Sequence, residues 1–190
     1  MKINEKGFWE NQTGEGHAHD TRLAIAIQKL LTKKGYKTLV DFGCGLGQYV
    51  KQFTKQGITC QAYDGNPNTE KLTGGVGQVL DLSQHFELGQ VFDCVMSLEV
   101  GEHIPEKFES TFLNNITNHA CGVVILSWAI PGQDGDGHVN CRSNEYIIQQ
   151  MLIRGFTFEI EDPNPDPNIV TVSPPDATDL FMLLAVGVEI

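Results

Sequence analysis

Two rhythms of apolar residues alternate along the chain. In residues 20–35, DTRLAIAIQKLLTKKG, Leu23, Ile27, Leu30 and Leu31 recur at helical spacing and predict an amphipathic helix. Asp20 is placed to cap its start, Lys33 and Lys34 suit its negative end, and Gly35 suits a left-handed stop. KTLVDF then reads as a buried strand, and QYVKQFTKQG as a second helix ending at Gly57. ITCQAYD (58–64), VGQVLD (76–81) and VFDCVMSL (91–98) follow as strand-like runs. PEKFESTFLNNITNHA carries Phe108, Phe112, Leu113 and Ile116 on one helical face, with proline in its first turn. CGVVILSWA (121–129) is a β-branched strand, and SNEYIIQQMLIRG (143–155) a helix capped by Ser143. FTFEI and LFMLLAVGVEI close the pattern. Strands alternating with helices at this pitch predict an α/β three-layer sandwich with a mostly parallel sheet covered on both faces. Residues 161–179, rich in proline and carboxylates, read as a solvated connection between the last two strands rather than a lid.

Composition narrows the partners. The 190 residues are 41% hydrophobic, enough for one domain with a proper core. A formal charge of −11 with only 13 Lys and Arg disfavours a polyphosphate backbone as partner, so nucleic acid is not expected. Five cysteines without a CxxC pair argue for reduced thiols and a cytoplasmic protein. The N-terminus has no signal-peptide core, and no apolar run is long enough for a membrane span.

The chemistry starts at LVDFGCGLGQYV. Gly43, Gly45 and Gly47 follow the first strand at alternate positions, where a tight turn or a close ligand would require them. A parallel sheet binds ligands at the carboxyl ends of its strands, so this turn faces a crevice. The dinucleotide fingerprint fails because residue 48 is glutamine, and no Gly-Lys-Ser/Thr follows to make a phosphate loop. Asp64, 23 positions after Asp41, closes the second strand where a carboxylate can accept ribose hydroxyls. Asp81 closes the third strand, within reach of an adenine amine. Asp41 itself reads equally well as a ligand contact or as a cap for the turn.

Taken in order, D-F-G-C-G-L-G, Y-D, L-D-L, F-D-x-V and S-L-E-V-x-E-H-I-P resemble the class I S-adenosylmethionine-dependent methyltransferases, in particular their small type 11-like group, over residues 38–130. The resemblance implies a seven-stranded Rossmann-like sheet with an antiparallel last strand. It also implies S-adenosylmethionine as cofactor, leaving as S-adenosylhomocysteine. Asp41, Gly43, Gly45 and Gly47 would shape the methionine pocket, Asp64 with Gly65 and Asn66 the ribose site, and Asp81 with Leu82 the adenine site. Ser97, Leu98 and Glu99 would line the reactive side, with His103 on the next turn. The Asp/Asn-Pro-Pro-Tyr/Phe signature of amino-methyltransferases is absent; SLEV stands in its place.

Acceptor residues in this architecture come from the N-terminal cover and the loops after the fourth and fifth strands. Residues 1–19, with His17 and His19, are expected to form a cover over a single cofactor-binding domain, 20–190. The fifth-strand loop SWAIPGQDGDGHVNCRS offers Trp128, His138 and Asn140. His138 is the candidate base, with His103 next, since methyl transfer from a sulfonium needs alignment, exclusion of water and removal of any acceptor proton. A histidine that only ties its loop together fits as well. Asp134, Asp136 and His138 fall on alternate positions and could hold a divalent ion with His17 and His19, but a plain glycine turn reads better and no metal is expected. The sequence thus predicts methyl transfer to a small polar molecule at oxygen or nitrogen. Two alternatives remain: an enzyme acting on nucleic acid or protein through a partner subunit, and a non-catalytic cofactor-binding activator. Oligomeric state is left open.

Overall fold

The computed structural model describes residues 3–10, 19–156, 158–159, 169–172 and 181–185. Its strands are β1 (Thr38–Phe42), β2 (Thr59–Asp64), β3 (Gln78–Val79), β4 (Phe92–Ser97), β5 (Ala120–Ser127), β6 (Phe158–Glu159), β7 (Ile169–Val172) and β8 (Phe181–Ala185). The helices are α1 (Thr21–Lys34), α2 (Gln48–Lys55), α3 (Thr69–Thr73), α4 (Glu106–Asn118) and α5 (Asn144–Ile153). The strands form one sheet in the order β3-β2-β1-β4-β5-β8-β7-β6. From β1 the chain winds outward through β2 and β3, then returns to lay β4 on the other side of β1. The strand order therefore reverses between β1 and β4, which puts the ligand crevice at their carboxyl ends.

The sheet is mostly parallel, as expected, but among the described residues it has one strand more than the seven predicted. Ile169–Val172 lies inside the stretch read as a solvated connection, yet its β-branched I-V-T-V run pairs antiparallel with both β6 and β8. With that strand inserted, the last strand runs parallel to β5, and the antiparallel strand is the penultimate one.

Side chains of the central strands alternate between two apolar layers. Leu39, Cys94, Met96, Val123 and Ile125 join Leu23, Ala24, Ile27 and Leu31 of α1 and Val50 and Phe53 of α2. Val40, Phe42, Val95, Val124 and Leu126 join Phe112, Leu113 and Ile116 of α4 and Ile147 and Met151 of α5. Both faces are thereby covered. α1 is closed as its sequence indicates: Asp20 accepts N–H bonds from Arg22 and Leu23, and Gly35 adopts φ 71°. At the amino ends of the strands, Asp93 accepts bonds from the Lys37 and Thr38 amides, tying β4 to β1 away from the crevice. Among the described residues no helix is long and apolar enough to cross a membrane.

Candidate active site

The glycine turn is built from left-handed backbone angles that glycine adopts without cost. Gly43, Gly45 and Gly47 have φ of 89°, 52° and 66°. A Cβ on Gly43 would lie 2.2 Å from Val100 Cγ2. The amides of Gly43 and Cys44 both donate to the Tyr63 carbonyl, so the turn is fastened to β2 as it leaves β1.

Acidic groups gather around this turn. Asp41 is 3% exposed, and burial first, then repulsion from Asp64, pushes its carboxyl up to about 8. Asp64 accepts from the Gly45 amide through Oδ2 and from the Asn66 amide through Oδ1, both at 2.9 Å. Asn66 is buried and accepts the Asn68 amide on its side-chain oxygen, which shapes the turn after β2. Asp81 takes bonds from the Ser83 amide and hydroxyl and an ion pair from Lys6 at 2.6 Å. Leu82 beside it is buried. Burial pushes the Asp81 carboxyl up, but the bonds from Lys6 and Ser83 outweigh it and hold it below the usual range. A buried acid under a strand end, with bare backbone above it, fits a compact cationic ligand carrying a nucleoside. S-adenosylmethionine, with its sulfonium and ammonium, has that chemistry.

Across the crevice β4 ends in a strained turn. Ser97 is buried and its hydroxyl donates to the Phe42 carbonyl at 2.6 Å, locking β4 to β1. Leu98 is half-buried against the α1/α2 layer. Glu99 holds φ 54°, the one non-glycine residue in the left-handed region among those described, and its amide donates to Ser127 Oγ. A short 3₁₀ turn, Gly101–His103, follows. Glu102 there is fully buried, with neither carboxylate oxygen hydrogen-bonded. Burial first, then repulsion from Glu99, lifts it to about 8, with only partial relief from nearby backbone.

The loop after β5 folds back onto this turn. The Val139 and Asn140 amides donate to the Glu102 carbonyl at 2.9 and 3.0 Å, which brings the His138 ring to 5.1 Å from that of His103. Nδ1 of His103 lies 3.2 Å from the Gly137 carbonyl, and Nδ1 of His138 lies 3.2 Å from that of Gln133. Burial holds His103 below the ordinary imidazole range, the Gly137 bond offsets part of this, and His138 adds to the lowering.

Several expected acceptor residues have other work. Trp128 is 2% exposed, packs against Gly101, and donates its indole N–H to the Asn140 carbonyl, so it forms a wall of the core here. Asn140 is likewise buried, its amide bound to Glu109. His19 lies with its ring 4.7 Å from that of Tyr49, at the start of α1, its Nε2 buried without a hydrogen bond. His17 is outside the described residues. Asp134 and Asp136 do not join the histidines; Glu102, which the sequence reading passed over, does. Its signal was a glutamate beside a histidine in an otherwise apolar turn.

Glu109 of α4 anchors the loop. It accepts from Tyr146, Asn140 and Arg142 at 2.5, 2.9 and 2.8 Å, and these bonds overcome its burial and hold it below the usual range. Glu109→Ala should cost about 2–4 kcal/mol in urea unfolding, because three buried or half-buried donors lose their acceptor. A change under about 0.5 kcal/mol, the scale of ordinary surface substitutions, would show that the loop is held by other contacts.

Residues 3–10 lie across both sides of the crevice. Asn4 Oδ1 accepts the Lys6 and Phe8 amides, and Ile3 bridges to Trp9, making a small hairpin. Phe8 covers Gly65, where a Cβ would come within 2.7 Å of its side chain. Gly7 lies so close to the His103 carbonyl that a Cβ there would sit 1.9 Å from it, and the Trp9 ring is 5.7 Å from the His103 ring.

Residues 16–127 match the model of a family described as a methyltransferase domain. A probable chloroplastic tocopherol O-methyltransferase of Oryza sativa subsp. japonica is 32% identical over 122 residues, 56% of this chain and 33% of that protein. The chain thus spans about a third of the length of this curated relative. Among solved structures, magnesium protoporphyrin IX methyltransferase from Synechocystis PCC 6803, with bound S-adenosylhomocysteine, superposes with a TM-score of 0.61 at 18% identity, covering 77% of this chain and 82% of that one. The (4+2)-cyclase SpnF superposes with a TM-score of 0.54 at 16% identity, covering 82% and 64%, so the fold serves more than one reaction. With more than half of its length matched and the strand order and glycine turn in place, this chain belongs to the methyltransferase-domain family and has the class I, S-adenosylmethionine-dependent fold.

Proposed function

We propose that this protein transfers the methyl group of S-adenosylmethionine to an oxygen or nitrogen of a small polar molecule. The observation that carries this reading is the buried acid Asp41 beneath a turn of three left-handed glycines, with Asp64 beside it. In this reading Asp41, Gly43, Gly45 and Gly47 receive the methionine part, and Asp64, Gly65 and Asn66 the ribose. Asp81 and Leu82 receive the adenine, and Ser97, Leu98 and Glu99 border the sulfonium. Lys6 and Phe8 already occupy the nucleoside end, which supports residues 1–19 as a cover that shifts to admit and then enclose the cofactor.

The reaction is an in-line displacement. A lone pair of the acceptor forms the new bond to the methyl carbon as the carbon–sulfur bond breaks. The electron pair stays on sulfur, and a neutral thioether leaves. The protein's part is to align the two groups, exclude water, and accept the proton of an O–H or N–H acceptor. His103 and His138 are the groups available for the acceptor side, at the ends of the two strands nearest the sulfonium border. The acidic surface implied by a charge of −11 favours neutral or cationic acceptors over polyphosphates.

The test is incubation of the protein with methyl-labelled cofactor and a metabolite extract, followed by identification of the labelled product. A labelled small molecule is the expected result. Label only on added RNA, DNA or protein would replace this reading with one of a macromolecular substrate. Tight cofactor binding without any labelled product would favour a non-catalytic binding subunit.

A further inference from the structure

Glu102, His103 and His138 each offer one ligand atom, and these lie within 4.8 Å of one another. Two imidazoles and a carboxylate suit a divalent transition ion, with positions left open for water or a ligand. Bonds of 2.0–2.1 Å to one tetrahedral ion would place such atoms roughly 3.3 Å apart, so side-chain movements of about 1 Å close the group around it.

Three features beyond the spacing point to a cation. First, Glu102 is fully buried and both of its oxygens lack a hydrogen-bond partner, a costly arrangement for a carboxylate that a bound cation relieves. The neighbouring Glu99 repels it and contacts its side chain, so two acids crowd the same spot. Second, each imidazole has Nδ1 at a backbone carbonyl, Gly137 for His103 and Gln133 for His138. With Nδ1 donating, each ring presents a bare Nε2, the orientation that metal-binding histidines take from their outer contacts. His103 Nε2 lies 3.9 Å from Glu102 Oε1. Third, the frame is already built. The Glu102 carbonyl holds the amides of Val139 and Asn140, which fixes the loop carrying His138 on the residue whose carboxylate it faces. A cleft of about 300 Å³ lined by Ile3, Gly7, Pro105 and Val139 reaches His103 and provides a way in.

We propose that Glu102, His103 and His138 form a binding site for one divalent transition-metal ion, open on the side of the acceptor. The site stands on its own side chains. Its use rests on the methyl-transfer reading, and there, with the ion bound, the two imidazoles hold the metal instead of taking the acceptor's proton, which narrows the acceptor to molecules with a ligating oxygen.

Tag-free protein, stripped with a chelator, should bind one Zn²⁺ or Co²⁺ per chain by calorimetry, and Co²⁺ should give a ligand-field absorption spectrum. Glu102→Gln keeps the shape and cannot ionise, so it should fold, and it should weaken Co²⁺ binding at least 10-fold. His138→Ala, on an exposed loop, should do the same and change the spectrum. Asp134→Asn, on the same loop but outside the cluster, should bind as the unaltered protein does. Absence of stoichiometric binding in the unaltered protein, or Glu102→Gln and His138→Ala affinities within about twofold of it, would overturn the site. S-adenosylmethionine binding, measured without metal, is a separate readout. Its loss would count against the methyl-transfer reading and leave the metal result standing.

Discussion

Asp41→Asn should make the ligand-free protein more stable and a poorer binder of S-adenosylmethionine. The carboxyl titrates at about 8 in the folded protein, against 3.8 for an ordinary aspartate. Because the folded value lies above the unfolded one, the group favours folding only while protonated. Its contribution is fully present below about pH 4 and is lost as pH rises towards 8. Asparagine has the same shape and never ionises, so the variant should gain on the parent across that window and hold a constant lead above it. The lead should be about 2–5 kcal/mol, given that solvent relaxation softens any buried charge. For a chain of this size, 2 kcal/mol corresponds to a rise of roughly 4–8 °C in Tm. Cofactor affinity should move the other way, because the cation that balances the acid loses its partner. Parallel pH–stability curves for the two proteins would show that the acid is solvated and would remove the observation on which the functional reading rests.

Asp64→Ala should lower affinity for S-adenosylmethionine by about 10- to 100-fold, the roughly 1.5–3 kcal/mol that bonds to a charged acceptor provide. The carboxylate holds the Gly45 amide on one oxygen and the Asn66 amide on the other, so it joins the glycine turn to the turn after β2. Removing it takes away the expected ribose acceptor and frees both turns at once. Asp64→Asn separates these effects, since it retains one acceptor oxygen for the turn. NAD should bind neither protein, as residue 48 is glutamine where the dinucleotide turn needs glycine. Unchanged affinity in the alanine variant would dismiss the ribose assignment.

What the sequence made legible was local. α1 announced both its caps, and the glycine turn stood out because three left-handed residues in five have no cheaper explanation. The strand at Ile169–Val172 was hidden by the prolines around it, though its own residues are strong strand formers. The burial of Trp128 and Asn140 was not legible either, because a polar loop suggests exposure, while their places depend on how the loop folds back over Gly101 and Glu109. Glu102 escaped for the same reason. Its partner His138 is 36 positions away, and nothing in the spacing says that Val139 and Asn140 will hydrogen-bond to its carbonyl. The Lys6–Asp81 pair, 75 positions apart, lies equally beyond any local pattern.

That last pair belongs to a hairpin that touches the proposed nucleoside end through Lys6 and Phe8 and the proposed acceptor end through Gly7 and Trp9. One tether serving both ends cannot release them independently. In the proposed cover, a movement that frees the cofactor end would also remove the wall beside His103. The two proposed compartments would then open together rather than through separate doors. If opening of the proposed cover limits turnover, the partly exposed Lys6–Asp81 bond makes that rate fall or rise with salt, and it should respond to solvent viscosity as well.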